Sequence, residues 1–204
     1  MNNSNIEKKL EQFNEFFTIK HEFSVNVSLL SKDKSYDYQS FINNMPTPFK
    51  MASDMATLDQ GALRPLQALS GVAGQLVEYL NHQAQKIDLL MGYILSQQVE
   101  EESHFQGVNF GGGGIIFSSE TAFNMTDYVE LKIFIQDDNC AVYCYGEIIE
   151  VKHSEAKTLY KVIFHFIRDE DREILVRASL HKQSVQLKAL SKKRQQPSDN
   201  NLSR

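Results

Sequence analysis

The sequence predicts an α+β fold in which a small antiparallel β-barrel is interrupted by a long helical insertion and closed by a C-terminal helix. Three observations support this prediction. Apolar residues recur at heptad spacing between residues 66 and 97. Short segments of alternating apolar and polar residues lie on both sides of that region. An acidic triplet at residues 169–171 then precedes a last amphipathic segment, as is typical of a helix N-terminus.

The heptad repeat predicts a helix over about residues 64–102 whose apolar seam forms a coiled coil. At about 1.5 Å per residue the seam is about 50 Å long, which exceeds what one small domain needs to cover its own core, so we expect self-association. The alternative is a monomer in which this helix folds back on the N-terminal helix and the barrel. Two polar seam residues would fix register and partner number. The seam positions are Leu66, Leu69, Ala73, Leu76, Leu80, Gln83, Ile87, Leu90, Ile94 and Gln97.

Local patterns predict the other elements. Apolar residues at helical spacing predict an N-terminal helix at 6–17, and alternation predicts a first strand at 23–30. Two prolines interrupt the polar region 31–61, where we expect a short helix at 38–43. Asp59 is a candidate N-cap of the long helix. The remaining predicted elements are a helical turn from Phe49, strands at 108–117, 128–135, 141–151 and 159–166, a hairpin turn at 137–139, and a final helix at 169–183.

Composition and charge limit the class of protein. The chain has 204 residues, 42% of them hydrophobic, and a formal net charge of -5, so it can bury a core and general nucleic-acid binding is not expected. No apolar segment is long enough to cross a bilayer, and no signal peptide is visible, so we expect a cytoplasmic protein without membrane insertion. Cys140 and Cys144 lie about 13 Å apart along one predicted strand, too far for a disulfide, and free thiols fit a reducing compartment.

The sequence lacks a recognisable catalytic or metal-binding pattern. No His-x-x-x-His or Cys-x-x-Cys pair occurs. His165 alternates with Phe164 and Phe166 in a predicted strand, so we expect its side chain to face solvent or a polar rim. We therefore expect no enzyme activity, no metal and no cofactor; a small enzyme is the remote alternative.

Four consecutive glycines at 111–114 carry the most specific motif. They do not form a P-loop, because no Gly-Lys-Ser/Thr ending follows and they lead into a strand. Taken alone, the run predicts a tight turn or bulge in which only glycine accepts the backbone angles. The glycine run, the strands that follow it and the closing helix occur in an order, over about residues 104–185, that resembles the PilZ domain. This family is known for binding the second messenger cyclic di-GMP. Asn109–Gly114 matches the family's (Asp/Asn)-x-Ser-x-x-Gly motif, with Gly111 in place of Ser. The resemblance implies a six-stranded antiparallel barrel.

The family's Arg-x-x-x-Arg motif, expected just before the first barrel strand, is missing. Residues 16–23 contain no arginine, and Lys20 and His21 are the nearest substitutes. Arginine binds phosphate through a planar fork that lysine cannot reproduce, so we expect weak or absent cyclic di-GMP binding. The alternative is a genuine cyclic di-GMP receptor with an altered site around Asn109 and the glycine run. Its candidate ligand-binding residues are Lys20, His21, Asn109, Gly111, Gly114 and Arg168.

A PilZ-like barrel interrupted by heptad helices resembles the atypical tetrameric PilZ group. This resemblance implies a homotetramer held by a helical bundle, with degenerate nucleotide motifs. The leading hypothesis is a non-enzymatic oligomeric scaffold in bacterial cyclic di-GMP, pilus/motility or virulence pathways, with an unidentified signalling or pilus-related protein as partner. The predicted organisation is an N-terminal helix and first strand at 1–30, a helical insertion at 31–103, the rest of the barrel with its closing helix at 104–187, and a disordered tail at 188–204.

Overall fold

Six antiparallel strands form a closed barrel in the computed structural model, which describes residues 3–31, 35–55, 72–135, 140–153 and 157–195. Around the barrel the strands follow the order β1-β2-β3-β6-β5-β4, and neighbouring strands pair antiparallel. The six-stranded antiparallel barrel expected from the sequence is confirmed. The strands are β1 (Thr18–Leu29), β2 (His104–Gly111), β3 (Gly114–Ser119), β4 (Tyr128–Ile135), β5 (Cys140–His153) and β6 (Thr158–Phe166).

Alternating side chains along the strands fill the barrel interior. On β4, the residues Val129, Leu131, Ile133 and Ile135 are fully buried in the barrel core. Successive side chains of a strand point to opposite faces, so the intervening positions face outward. Phe134 is one of these outward positions, yet it is buried too, because the helical insertion covers this side of the barrel.

Five α-helices accompany the barrel within the described part of the chain. Helix α2 begins at an N-cap, Asp37, whose side chain accepts a hydrogen bond from the Ser40 backbone N–H at 2.7 Å. This cap satisfies one of the backbone donors that every helix start leaves free. The helices are α1 (Asn3–Glu15), α2 (Tyr38–Asn44), α3 (47–55), α4 (Val72–Ser96) and α5 (Asp169–Gln195), and a 3₁₀ turn spans Glu101–Ser103.

The helical insertion has its own hydrophobic core on the outer face of β4 and β5. Phe41 of α2 is completely buried and stacks on Tyr143, with ring centroids 5.7 Å apart and an interplanar angle of 12°. Met91 and Leu95, near the end of α4, are buried in the same cluster. This end of α4 is therefore fixed to the barrel by apolar packing.

Helix α4 ends at Ser96, before the predicted end at 102. The chain turns after Ser96, and Asn26 of β1 holds the next segment by donating from Nδ2 to the Glu100 carbonyl oxygen at 2.6 Å. Val99 packs against the insertion core. The predicted end was wrong because these contacts between distant parts of the chain redirect a sequence that has no local helix-stop signal.

Helix α5 closes the barrel end at which β6 finishes. Leu175 and Ala178 are buried in the barrel core. The helix continues to Gln195, past the predicted end at 183, so the prediction of disorder was wrong for residues 188–195. That stretch contains no glycine or proline and, apart from Ser191, consists of lysine, arginine, alanine, leucine and glutamine, which sustain a helix. The rest of the predicted tail, 196–204, lies outside the described residues.

Aromatic side chains close the opposite end of the barrel. Phe117 stacks on Tyr160 with ring centroids 5.3 Å apart, and Phe123 meets both rings edge-on. Phe105 contacts Phe117 and Phe123 from β2. The Tyr160 hydroxyl donates to the Thr121 carbonyl oxygen at 3.2 Å and thereby holds the connecting loop across this end.

Several predicted features lie outside the described residues. They are Asp59 as a helix cap, the first two seam positions Leu66 and Leu69, and the hairpin turn at 137–139. Among the helices that the structure describes, none is both long and apolar enough to cross a membrane.

Candidate functional site

The glycine run forms the connection between β2 and β3, and all four glycines are buried. A Cβ on Gly111 would overlap the Phe17 carbonyl oxygen, and a Cβ on Gly114 would overlap the Val162 carbonyl oxygen. None of the four has a φ between +20° and +160°. The interpretation that only glycine accepts these backbone angles was therefore wrong: glycine is required here because neighbouring chain segments approach too closely for any side chain.

Helix α1 covers the glycine run. A Cβ on Gly112 would lie 2.7 Å from Cδ1 of Phe16, and a Cβ on Gly113 would lie 2.9 Å from the Phe13 carbonyl oxygen. The Phe13 side chain is buried against Ile149 and Ile163 on the outer face of the barrel. The chain's own N-terminal helix therefore fills the space in front of the glycine backbone.

Helix α5 completes this cover through Arg172. Its Nη1 donates to the Gly112 carbonyl oxygen, and its guanidinium carbon lies 5.2 Å from the centroid of the Phe16 ring. A guanidinium at this distance from an aromatic face forms a cation–π interaction. Arg172 was not among the predicted site residues, although it stands one helical turn after Arg168, which was.

Arg168 does not reach the glycine run. It donates from Nε and Nη2 to the two carboxylate oxygens of Asp171 at 2.8 and 3.1 Å, and Nη2 also lies 3.4 Å from the Phe49 carbonyl oxygen. These partners fix its side chain between α5 and α3. The prediction of Arg168 as a ligand-binding residue conflicts with this geometry, because a forked pair with a buried carboxylate uses the donors that a phosphate would need.

The structure brings Lys20 and Asn109 together and places His21 beside them. Lys20 and Asn109 are directly paired across β1 and β2. The register then shifts between Lys20 and Phe23, so that His21 lies in a β-bulge and meets the Phe110 ring edge-on at 6.1 Å. The three residues thus line one edge of the β1–β2 surface, whereas Gly111 and Gly114 are buried behind α1.

A shallow groove of about 460 Å³ lies next to His21. In it, the Ser24 hydroxyl lies 2.6 Å from Nε2 of His104. This is a solvent-exposed hydrogen bond, and no third residue orienting His104 is recorded among the residues that the structure describes. Within the described ranges, no three His, Cys, Asp or Glu side chains are close enough to hold a metal ion.

The buried titratable groups of the barrel have structural roles. The Tyr143 hydroxyl donates to Glu130 at 2.6 Å, and burial together with this carboxylate raises the pKa of Tyr143 far above its ordinary value. Burial likewise raises the pKa of Cys144, a buried residue that is a free thiol, as predicted. A thiol with a raised pKa is a poor nucleophile. His165 has an exposed side chain, as predicted, and contacts the Tyr128 ring.

Helix α4 leaves an apolar face uncovered. Leu80 is the least exposed of five aliphatic seam residues, at 39%, and Leu90 the most exposed, at 65%. The others are Leu76, Ile87 and Ile94. Gln83 lies among them, and Gln97 follows the helix end. The adjacent residues Met91 and Leu95 of α4 are buried and pack on the barrel side. The described part of the chain does not fold back over this seam.

The chain was compared with known proteins. No family model and no curated protein sequence matches it. A tetrameric PilZ-domain protein from Xanthomonas campestris, self-assembled via a helical bundle, aligns with a TM-score of 0.56 and 11% identity over 87% of this chain and 96% of that one. The motility inhibitor MotI of Bacillus subtilis aligns with a TM-score of 0.38 and 14% identity over 40% of this chain and 42% of that one. The PilZ domain of Escherichia coli YcgR, determined with cyclic di-GMP, aligns with a TM-score of 0.36 and 11% identity over 44% and 82%.

The likeness to the Xanthomonas protein concerns the fold. An alignment over 87% of this chain extends beyond the barrel and its closing helix into the helical insertion. The closed six-stranded order, the insertion between β1 and β2 and the closing helix α5 are present here. The chain therefore has a PilZ-like fold.

Proposed function

We propose that the chain is a non-enzymatic, oligomeric signalling scaffold in which several PilZ-like barrels are held together by α4. The observation that carries this proposal is the uncovered apolar face of α4. Leu76, Leu80, Ile87, Leu90 and Ile94 are exposed at heptad spacing on a helix whose end is anchored to the barrel. Contiguous exposed apolar residues mark interaction surfaces, and this spacing favours a helical partner in a left-handed coiled coil.

We infer that the assembly is a homotetramer. The Xanthomonas protein with this fold is a tetramer that assembles via a helical bundle. Gln83 lies within the seam here, and a polar seam residue favours the register and partner number in which it finds a hydrogen-bonding partner. An assembly of this kind presents several copies of each barrel surface, so weak contacts with a partner protein gain effective concentration.

The second part of the proposal is that cyclic di-GMP binds weakly or not at all. Its support is the cover over the glycine run, whose backbone lies beneath Phe13, Phe16 and Arg172. A nucleotide would have to displace α1 and break the ion pair between Lys9 and Glu147, whose carboxylate side chain is only 6% exposed. Because Lys9 is 26% exposed, breaking this partly buried pair costs about 1–3 kcal/mol, and each 1.4 kcal/mol weakens binding about tenfold.

A second candidate function is a cyclic di-GMP receptor with an altered site. The pairing of Lys20 with Asn109, and the groove beside His21, favour it. In this arrangement a phosphate would meet the Lys20 ammonium at the strand edge without entering the glycine turn. Lysine supplies a point charge but no fork, so its affinity would be below that of an arginine pair.

The likeness of fold to the Xanthomonas protein supports the proposed pathway. We infer a cytoplasmic role in bacterial cyclic di-GMP, pilus/motility or virulence signalling, in which a signalling or pilus-related protein binds the barrels. A titration of purified protein with cyclic di-GMP by calorimetry, with the mass of the same sample measured by light scattering, tests both parts. The proposal expects a mass of four chains or a multiple of four, and no saturable heat at tens of micromolar nucleotide. A monomer mass would contradict the assembly.

Saturable low-micromolar binding would favour the receptor instead. The variant Lys20→Ala/Asn109→Ala then distinguishes binding at the β1–β2 strand edge from binding at the glycine turn. Loss of the heat in this variant would locate the nucleotide at the β1–β2 edge, whereas an unchanged heat would locate it elsewhere. Lys8→Ala is the matched control, because Lys8 is an exposed lysine on the outer side of α1.

A further inference from the structure

A cup with an acidic rim opens at the barrel end opposite α5. It has a volume of about 640 Å³. Val27, Phe105 and Phe123 line it with apolar surface, and Leu29 on its wall is 57% exposed. The rim is formed by residues 100–102. We call this surface the acidic cup.

The rim of the acidic cup is held in place and carries uncompensated negative charge. Asn26 Nδ2 donates to the Glu100 carbonyl oxygen at 2.6 Å and lies 3.0 Å from the Ser103 hydroxyl, which fixes the 3₁₀ turn. Glu100 is paired with Lys132. Glu101 and Glu102 are exposed, and across the described ranges neither has a recorded ion pair.

The C-terminal part of α5, residues 180–195, has the complementary character. Leu180, Leu187 and Leu190 are 51–59% exposed on it. The sequence has no acidic residue between Glu173 and Asp199. The helix carries Lys188, Lys192, Lys193 and Arg194 over its last two turns. We call this segment the basic α5 end. It combines aliphatic side chains with positive charge, as a segment binding an apolar cup with an acidic rim requires.

The basic α5 end cannot reach the cup of its own barrel. Gln186 Nε2 donates to the Lys20 carbonyl oxygen at 3.0 Å, which places this part of α5 at the start of β1. The cup lies at Val27–Leu29, at the other end of the same strand. At about 3.3 Å per residue, Lys20 and Leu29 are about 30 Å apart. Any α5 that occupies the cup therefore comes from another molecule.

We propose that the basic α5 end of a second copy of this chain occupies the acidic cup. Leu187 and Leu190 would enter the apolar interior, while Lys188 meets Glu101 and Glu102 and the net positive charge of the segment favours its approach. The two surfaces lie at opposite ends of the barrel, so the contact is head-to-tail. Such heterologous contacts generate rings or open chains. The contact uses neither α4 nor the glycine run, and it would link the α4-held assemblies to one another.

Sedimentation velocity of the full chain over a concentration series tests the proposal. At low salt we expect species larger than the α4-held assembly, and their association constant should fall at least tenfold when salt rises from about 0.1 M to about 1 M, which shortens the Debye length from about 10 Å to about 3 Å. The cup variant is Glu101→Lys/Glu102→Lys, and the end variant is Lys188→Glu/Lys192→Glu/Lys193→Glu/Arg194→Glu, which reverses the charge of the last two turns of α5. Glu101, Glu102 and Lys188 are exposed, so the changes at these three positions remove no core contact.

Each variant alone should lower the association constant of the larger species at least tenfold, because the cup and the α5 end of the next molecule then carry charges of the same sign. An equimolar mixture of the two variants should restore them, since each reversed cup meets a reversed end and each native cup meets a native end. The control Glu7→Lys/Glu11→Lys makes the same charge change as the cup variant, but at exposed positions on α1, and should behave like wild type. Absence of the larger species in wild type, or failure of the mixture to restore them, overturns the proposal. A mass of one chain with the larger species absent would argue against the α4 assembly as well.

Discussion

Lys9 Nζ lies 2.6 Å from both carboxylate oxygens of Glu147, and this pair fastens α1 to the outside of the barrel. Glu147 is a buried residue of β5, whereas Lys9 is on α1. Lys161, on β6, lies 5.3 Å from the centroid of the Phe13 ring and adds a cation–π interaction to the same helix. Together these contacts hold α1 over the glycine run, where other chain segments leave no room for side chains.

The variant Lys9→Met tests this attachment. This variant leaves the buried Glu147 carboxylate without its cation. Because Lys9 is 26% exposed in the wild type, we expect the loss of the ion pair to cost about 1–3 kcal/mol. Hydrogen exchange of the α1 amides should accelerate by about tenfold or more. Lys8→Met removes an exposed charge from the same helix and should leave exchange unchanged. Equal exchange in both variants would show that the ion pair does not hold α1.

Gly112→Ala probes the contact between α1 and the glycine run. Its Cβ would lie 2.6 Å from Val176 Cγ2 and 2.7 Å from Phe16 Cδ1, so we expect a loss of about 1–3 kcal/mol in the free energy of unfolding. Phe16→Ala removes one of the two obstructing groups, and the loss caused by Gly112→Ala should be smaller in that background.

Gly114→Ala provides the comparison for this pair of variants. Its Cβ would meet the backbone oxygen of Val162, which Phe16→Ala does not relieve. In urea unfolding, the changes in the free energy of unfolding caused by Phe16→Ala and Gly112→Ala should therefore be non-additive. Those caused by Phe16→Ala and Gly114→Ala should be additive. Additive effects at both glycines would contradict the contact seen between Phe16 and Gly112.

Phe41→Ala tests whether the insertion and the barrel share one folding unit. Phe41 is fully buried and packs on Tyr143, Tyr145 and Phe166 of the barrel. Truncating a buried phenylalanine costs about 3–5 kcal/mol, and the whole protein should unfold at lower urea in one transition. Tyr38→Ala, at a half-exposed ring of the same helix, should cost much less. Two separate transitions would mean that the insertion unfolds independently.

Stability should decrease as the pH falls below the ordinary histidine range. The side chain of His165 is exposed at the surface, but the neighbouring rings of Tyr128 and Phe166 partly desolvate the imidazole and lower its pKa from the ordinary value of 6.5; Glu147 opposes this shift and Lys9 adds to it. The unfolded chain therefore binds a proton at this residue more readily than the folded one, so the contribution is present above pH 6.5 and is lost below it. Between pH 7.5 and 5, the free energy of unfolding should decline less for His165→Gln than for the control His153→Gln, which changes an exposed histidine. Parallel declines would exclude His165 as a cause.

The sequence predicted most of the barrel because the strands have a strong local signal. Val129, Leu131, Ile133 and Ile135 alternate with outward residues, and the structure buries all four. Asp169–Asp171 likewise predicted the start of α5, which begins at Asp169. Where propensity and pattern agree, local sequence is sufficient to define an element.

The parts that were missed depend on contacts between distant residues. Phe16 looks like an ordinary residue at the end of an amphipathic helix, and only the folded chain brings it to Gly112, far along the sequence. The sequence does not distinguish Arg168 from Arg172 as a candidate ligand-binding cation. In the folded chain Arg168 pairs with Asp171, whereas Arg172 donates to the Gly112 carbonyl oxygen. The extension of α5 was missed because its polar composition resembles a tail, although its helix propensity is high.

The central claim is that α4 holds the copies together through its exposed seam, and light scattering of the variant Leu80→Glu/Ile87→Glu tests it most directly. Both side chains are exposed in the single chain, at 39% and 46%, so the charges leave the barrel folded but place like charges inside a seam between helices. Leu89→Glu/Gln85→Glu adds the same charge at exposed positions off the seam and serves as the control. At about 1 M salt, where the proposed contact between the acidic cup and the basic α5 end is weakened, the account predicts one chain's mass for the seam variant and the wild-type mass for the control. A seam variant that keeps the wild-type mass would contradict it.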